Sequence, residues 1–420
     1  MVIQQDEVSV LKEGYVPVQD GRNWWGFACV PRIVFGRGSV AALEGMIKRR
    51  GSQRALLVTD ATLCELGLVD RVKEPLRRAG CLVEVFDEGK PEPSTSLAAS
   101  VAMLAASYRP DVWLALGGGS NMDLAKLACV LSAYKLPPAS LFGFDTVPGP
   151  LPPLICLPTT AGTGSEVSHA AVLRNHQTGQ KGGIVSEYLR PTAAVVDPSF
   201  TDSCPRELTA ECGMDALTHA IEAALAIPYN HLSDDTDHGL AYEGNHPLGS
   251  MFAQRAIENI GACFLRVLAD GQDGAARDGM ALASTLAGLA FSSCGVSLVH
   301  ALEYWVGSKY GCPHGVGNAI LLPNVLRFYL PECADRIAEV GAWLGVLADK
   351  DPLIQAYATV ETIERLRRRA GLPERLSQIG AVAEDLPGLA RAAATLQRLI
   401  ELAPKKVRRK DLLCILEASL

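Results

Sequence analysis

The stretch ECGMDALTHAIEA, residues 211–223, sets Asp215 and His219 four positions apart among Met, Ala, Leu and Ile. Residues i and i+4 lie on one face of a helix, so this spacing aims a carboxylate oxygen and an imidazole nitrogen at one point. Taken alone the pair has a plainer reading, with Asp215 in a first helical turn after Gly213 and His219 facing a core. Two more histidines follow in GVSLVHALEYWVGSKYGCPHGVGNAILLPNV (295–325): His300 on a helical stretch, and His314 after Pro313 with a new helix expected from about Gly317. Asp215, His219, His300 and His314 make a nitrogen-and-oxygen tetrad with one position left for an oxygen ligand. Such a set suits Fe(II), Zn(II) or a similar divalent ion. Singly, each histidine is equally well a satisfied core or capping residue. IPYNHLSDDTDHGLAYEGNHPLG (227–249) adds His231, His238 and His246, which read better as a surface loop between two helices than as a second metal site.

A second chemistry is written in glycine and hydroxyl residues. Gly117, Gly118 and Gly119 follow the apolar run VWLAL and precede Ser120 and a helix. A glycine turn between strand and helix exposes backbone N–H groups, and the helix N-terminus adds partial positive charge, which together cradle a pyrophosphate. Asp123 and Lys126 in the next turns read as ordinary helix dressing, with Lys126 also within reach of phosphates. PTTAGTGSE (158–166) interleaves Thr159, Thr160, Thr163 and Ser165 with Gly162 and Gly164, giving hydroxyls for phosphate and ribose where a ligand can approach closely. ALLVTD ends at Asp60, whose carboxylate fits the two ribose hydroxyls of adenosine and repels a 2′-phosphate, favouring NAD over NADP. The same residue fits the N-cap of the next helix.

These residues need elements to hold them. RALLVTD (54–60), CLVEVFDEG (81–89), DVWLALGGGS (111–120), PLICLPTT (153–160) and TAAVVDP (192–198) read as strands. Helices are expected after Asp60 through about Ala79, at SLAASVAMLAASY (96–108) and at NMDLAKLACVLSAY (121–134). Alternating strands and helices predict βαβ units and a mostly parallel sheet with ligands at the strand carboxyl ends. Beyond about residue 200 helical periodicity takes over, punctuated by Pro228, Pro247, Pro313 and Pro323. DPSFTDSCP (197–205) breaks the pattern. This predicts a nucleotide-binding α/β domain over 1–202 and an all-helical, metal-binding domain over 203–420.

Composition fits two domains, since 420 residues exceed one comfortable core and 48% are apolar. A net charge of −7 disfavours nucleic acid as a partner, and the basic run KKVRRK (405–410) reads as a solvated turn. No apolar run is long enough to span a membrane, and MVIQQDEVSVLKEG lacks the apolar core of a signal peptide. The twelve cysteines are scattered without a C-x-x-C, which predicts free thiols in a reducing, cytoplasmic compartment and leaves any metal to His and carboxylate.

GGGSNMDLAK (117–126), PTTAGTGSEVS (158–168), GMDALTHAIEA (213–223), and His300 followed by PHGVGNAILLP (313–323) stand in the order found in the iron-containing (class III) alcohol dehydrogenases. The resemblance runs from FACVPRIVFGRGSV (27–40) to RRKDLLCILEASL (408–420). It implies a Rossmann-like N-terminal domain that binds NAD(P) and an all-helical C-terminal domain, the dehydroquinate synthase-like fold. The metal would be held by Asp215, His219, His300 and His314, with substrate in the cleft between domains. The implied reaction is metal-assisted hydride transfer between the nicotinamide and a small alcohol or hydroxy acid, giving aldehyde or ketone, with His300, His314 and Tyr304 at the reacting centre. Lys181 in TGQKGGIVSEYLRP (178–191) stands where the family places a lysine near the cofactor, and a homodimer is implied.

One departure stands in HALEY (300–304). Tyr304 occupies the place of a second histidine that many members use for proton relay, and a phenol with an ordinary pKa of about 10 shuttles protons poorly at neutral pH. Branches that resemble hydroxyacid–oxoacid transhydrogenases and 4-hydroxybutyrate dehydrogenases also carry tyrosine there, and AYEGNHPLG (241–249) is similar to the transhydrogenase branch. That points to a hydroxy acid or other functionalised alcohol, and to a transhydrogenase with tightly held NAD as the alternative activity. Glu303, where a small residue is expected, would disfavour an anionic substrate if it turned inward. A dehydroquinate synthase-like lyase and a binding protein with a dead site are weaker alternatives. The first lacks the THAIEA and PHGVGNA wording, and the second would need ligand positions to be lost.

Overall fold

The computed structural model describes residues 22–232 and 242–420, so His238 lies outside the described residues. The first half runs β1 (Ile33–Phe35), α1 (Ala42–Arg50), β2 (Arg54–Val58), α2 (Ala61–Glu65), α3 (Leu68–Arg78), β3 (Leu82–Phe86), α4 (Thr95–Tyr108), β4 (Val112–Gly117) and α5 (Gly119–Tyr134). It continues through β5 (Gly143–Phe144), β6 (Leu154–Pro158), β7 (Ala170–Arg174), β8 (Lys181–Val185) and β9 (Ala193–Val196). The main sheet has the order β1-β9-β6-β4-β2-β3 and is parallel throughout.

Its central strands are apolar because both faces are covered. Leu56, Val58, Trp113 and Ala115 pack into one core, and Ala55, Leu57, Leu114 and Leu116 into another on the opposite face. β3 and β4 lie on opposite sides of β2, so a crevice opens at the carboxyl ends of β2 and β4. Gly117 lies opposite Pro158 in the ladder, which sets the GGGS turn beside the PTTAGTGSE loop.

Three local features differ from expectation. The helix after Asp60 is two helices, because Gly67 takes φ 72 between them. β7 and β8 form an antiparallel hairpin joined by β5 into a second small sheet. Lys126 is not helix dressing: it is fully buried and donates to Ser165 Oγ (2.9 Å), Ser168 O (3.1 Å) and Ala170 O (2.7 Å). It pins the hydroxyl-rich loop and β7 to α5 and has no free donor to offer a phosphate.

The second half is helical: α6 (Arg206–Leu225), α7 (Pro247–Ala269), α8 (Gly274–Cys294), α9 (Leu298–Tyr310), α10 (His314–Trp343), α11 (Pro352–Ala370), α12 (Leu386–Ala393), α13 (Gln397–Glu401) and α14 (Arg409–Ser419). α6 is buried all round from Cys212 to Leu225, which marks it as the central helix. Asp215 therefore sits mid-helix, not in a first turn. α10 begins at His314, earlier than expected, because Pro313 caps it and accepts from Val316 N at 3.0 Å and Gly317 N at 3.1 Å. It continues past Pro323 and bends only at Cys333, two residues after Pro331.

The described residues immediately before α7 are not a plain surface loop. Tyr242, Glu243 and His246 are buried, His246 Nδ1 accepts from Gly249 N at 3.2 Å, and its ring stacks on Trp25 at 4.5 Å. The part of KKVRRK nearest the core is tethered, with Lys405 donating to Phe328 O, while the rest is largely exposed. All twelve cysteines are free thiols, and among the described residues no single helix is long and apolar enough to cross a membrane.

Candidate metal centre and nucleotide crevice

Three helices meet at one point. α6 supplies Asp215 and His219, α9 supplies His300 and α10 supplies His314, and one ligand atom from each lies within 4.8 Å of all the others. The approach of α10 to α6 depends on Gly315, where a methyl group would collide with the Glu211 carbonyl oxygen. Asp215 Oδ2 lies 3.9 Å from His219 Nδ1, and Asp215 Oδ1 lies 3.6 Å from His314 Nε2. The His219 and His300 rings stack at 4.8 Å, and Phe291 covers His219 at 4.3 Å. Asn318, one turn beyond His314, donates to Asp215 Oδ1 at 2.8 Å.

The outer atoms of this cluster are as ordered as the inner ones. Glu222 accepts from His300 Nδ1 at 2.6 Å and from Val299 N at 2.7 Å. Glu303 accepts from His314 Nδ1. A carboxylate at Nδ1 holds the proton there and leaves the Nε2 lone pair facing inward, the arrangement a metal-binding imidazole requires. His219 Nδ1 is buried without a hydrogen-bond partner among the described residues and faces Asp215. A buried orphan nitrogen beside a carboxylate and two Nε2 lone pairs fits a divalent cation.

Electrostatics agree. Burial holds His219 down to about 3 against the pull of Asp215, so this ring is a neutral donor. Burial alone would raise Asp215, but His219, His314 and His300 together bring it below the usual aspartate value. Burial would lower His314, and Glu303 and Asp215 outweigh it. Sequence reasoning missed Glu222, Asn318 and the role of Glu303. The signal was present, since Glu222 and Glu303 each stand three residues after a ligand histidine on an otherwise apolar helix.

Beside the cluster a cavity of about 520 Å³ runs along the carboxyl ends of the strands, lined by Asp60, Gly118, Gly119, Ser120, Thr159, Thr160 and Thr163 and reaching Asp215 and His314. A second cavity of about 240 Å³ shares Gly119, Ser120, Thr163, Asp215 and His314 with it, then extends to Tyr304, Tyr242, Phe291 and Lys181. The two form one crevice bent around the four ligands. Gly117 takes φ +147, and a methyl on Gly119 would come within 2.7 Å of Thr163 Cγ2, so the two loops touch only because these are glycines.

Asp60 is the N-cap expected of it and also lines the larger cavity. Its Oδ1 caps α2 through Leu63 N (3.1 Å), its Oδ2 accepts from Asn121 Nδ2 (2.7 Å), and it still lines the cavity. Ser165 and Asp123 line the smaller cavity but spend bonds on each other, Ser165 Oγ donating to Asp123 Oδ1 at 2.6 Å. Lys181 Nζ lies 3.4 Å from Glu303 Oε1 and 3.6 Å from Glu92 Oε1, on the wall of the smaller cavity and away from the larger. Tyr304 stacks near His314 at 6.1 Å, and burial pushes its phenol well above 10.

Residues 31–198 match the family model "Iron-containing alcohol dehydrogenase", and residues 209–420 match "Fe-containing alcohol dehydrogenase family, C-terminal". Long-chain-alcohol dehydrogenase 1 of Geobacillus thermodenitrificans is 36% identical over 93% of this chain and 97% of its own length. NAD-dependent methanol dehydrogenase of Bacillus methanolicus is 32% identical over 87% of this chain and 92% of its own. The crystal structure of a 1,3-propanediol oxidoreductase superposes with a TM-score of 0.87 at 30% identity, covering 94% of this chain and 100% of that one.

A parallel sheet with a nucleotide crevice, closed by helices that converge three imidazoles and a carboxylate, defines a metal-dependent dehydrogenase. The chain belongs to the iron-containing alcohol dehydrogenase family and is an oxidoreductase of that type, interconverting alcohols and their carbonyl products.

Proposed function

We propose that this enzyme exchanges a hydride between NAD, in preference to NADP, and a small uncharged alcohol, with Fe(II), or Zn(II) in its place, held by Asp215, His219, His300 and His314. The observation that carries the proposal is the convergence of those four side chains within 4.8 Å at the bend of the crevice. A cation bound there supplies Lewis acidity at the substrate oxygen, and a bound nicotinamide supplies the hydride acceptor or donor. Gly117, Gly118, Gly119 and Ser120 offer N–H groups and a helix N-terminus to the pyrophosphate, with Thr159, Thr160 and Thr163 opposite. Asp60 receives the ribose hydroxyls. Tyr242, Phe291 and Val296 wall off water, and Tyr304, with its phenol held protonated, orients the substrate by donating a hydrogen bond.

Substrate charge follows from the same wall. Glu303 does not enter the cavity lining, and Lys181, the cation on the cavity wall, is already paired with it and with Glu92. This supports an uncharged alcohol over a hydroxy acid, and free NAD turnover over a transhydrogenase. The gap between the two family-model matches, 31–198 and 209–420, supports domains over 1–202 and 203–420. The free thiols support a reducing, cytoplasmic setting, and the family resemblance supports a homodimer. The test is a panel of 1-alkanols, diols and 4-hydroxybutyrate with NAD or NADP, after chelation and reloading with Fe(II) or Zn(II). Uncharged alcohols should reduce NAD. A fully loaded enzyme that leaves nicotinamide absorbance unchanged with every alcohol and aldehyde would refute the reading.

A further inference from the structure

Glu303 is wholly buried, lines neither cavity and spends both oxygens on side chains from different parts of the chain. Oε2 accepts from His314 Nδ1, and Oε1 faces Lys181 Nζ at 3.4 Å. Two glycines make its berth. A methyl on Gly317 would lie 2.7 Å from Glu303 Cγ, and one on Gly307 would collide with Oε1. An unpaired buried carboxylate is costly, so a seat cut for one and furnished with partners at both oxygens reflects a role for the charge. Lys181 opens β8, and its backbone N–H also reaches Ser308 Oγ of α9 at 3.4 Å. Glu303 thus links an imidazole of the helical half to the hairpin beside the substrate cavity.

We infer that Glu303 is a positioning residue: it fixes the ring of His314 so that Nε2 faces Asp215, and through Lys181 it anchors that ring to the β7–β8 hairpin. This rests on the reading of His314 as a metal ligand. An imidazole whose Nδ1–H is held by a fixed acceptor is locked in tautomer and rotamer, so less order is lost when Nε2 takes a cation. Glu222 does the same for His300, and the two carboxylates make the cluster symmetrical in its supports.

The test compares Glu303→Met, unbranched and without an acceptor oxygen, with Glu303→Gln, which keeps an oxygen for Nδ1–H, and with His314→Ala. Chelated full-length protein is titrated with Zn²⁺, the visible bands of the Co²⁺-loaded form are recorded, and NADH binding and thermal melting are followed in parallel. Glu303→Met should weaken Zn²⁺ binding roughly 10–100-fold and shift the Co²⁺ bands, while Glu303→Gln stays near the parent and NADH binding is kept in both. Parental Zn²⁺ affinity and Co²⁺ bands in Glu303→Met, with His314→Ala impaired, would overturn the positioning role alone. Parental affinity in His314→Ala would overturn the ligand assignment and the inference with it. Equal loss of metal, NADH and fold in both Glu303 variants would mean a packing role and also overturn it.

Discussion

Asp60 serves two masters at once. It caps α2 through one oxygen and keeps the other, held by Asn121, at the edge of the nucleotide cavity. A carboxylate fixed this way gives charge-assisted hydrogen bonds to ribose hydroxyls and meets a 2′-phosphate with repulsion. Asp60→Gly removes both effects while glycine remains a tolerable cap. The ratio of kcat/KM for NAD over NADP should fall by roughly 10–100-fold, the worth of one or two hydrogen bonds to a charged group. An unchanged ratio would reject Asp60 as the discriminating residue. The metal tetrad was legible at this scale because ligand type and i, i+4 spacing are written in sequence. The partners of Glu222, Asn318 and Glu303 were not, because they are 78, 103 and 11 residues away and only packing brings them together.

At the scale of elements, α7 offers a separate prediction. His246 caps it as a neutral ring, Nδ1 accepting from Gly249 N while Nε2 pairs with Ser293 Oγ at 2.8 Å. Burial lowers its pKa to about 4. The unfolded chain titrates near 6.5, so the folded state takes up this proton less readily than the unfolded one. The stabilisation is complete above 6.5 and is lost as pH falls towards 4, at up to ~1.4 kcal/mol per pH unit. His246→Asn keeps a capping oxygen but cannot titrate, so its melting temperature should fall less steeply between pH 7 and 5 than that of the parent. Equal slopes would remove His246 from the acid response. The strands β2, β4, β6 and β9 could be read because continuous apolar runs mark a sheet covered on both faces. The β7–β8 hairpin escaped because KGGIV mixes glycine and charge, and its stability comes from packing on α5 and α9. The break at Gly67 escaped because one left-handed residue leaves the apolar periodicity intact.

For the whole molecule the crevice has two makers. Strand ends and the loops at 117–120 and 158–166 build the nucleotide side, while α6, α9 and α10 build the cation side. Each loop on the first side has contacts of its own, such as Lys126 with Ser165 and Asn121 with Asp60, besides the one from His219 to the Gly162 backbone. Chelation should therefore abolish turnover and leave NADH binding, read by quenching of protein fluorescence, within about threefold, since the loops keep their own anchors when the cation is gone. Stability should respond differently. A cation that binds only the folded chain adds about 2.7 kcal/mol at a hundred times its dissociation constant, so Zn²⁺ should raise the melting temperature of stripped enzyme by several degrees. His314→Ala should lose that rise while keeping NADH binding. If chelation instead removed NADH binding and melting cooperativity together, the two sides would be one folding unit organised by the cation, and the strand-end loops would not be preformed.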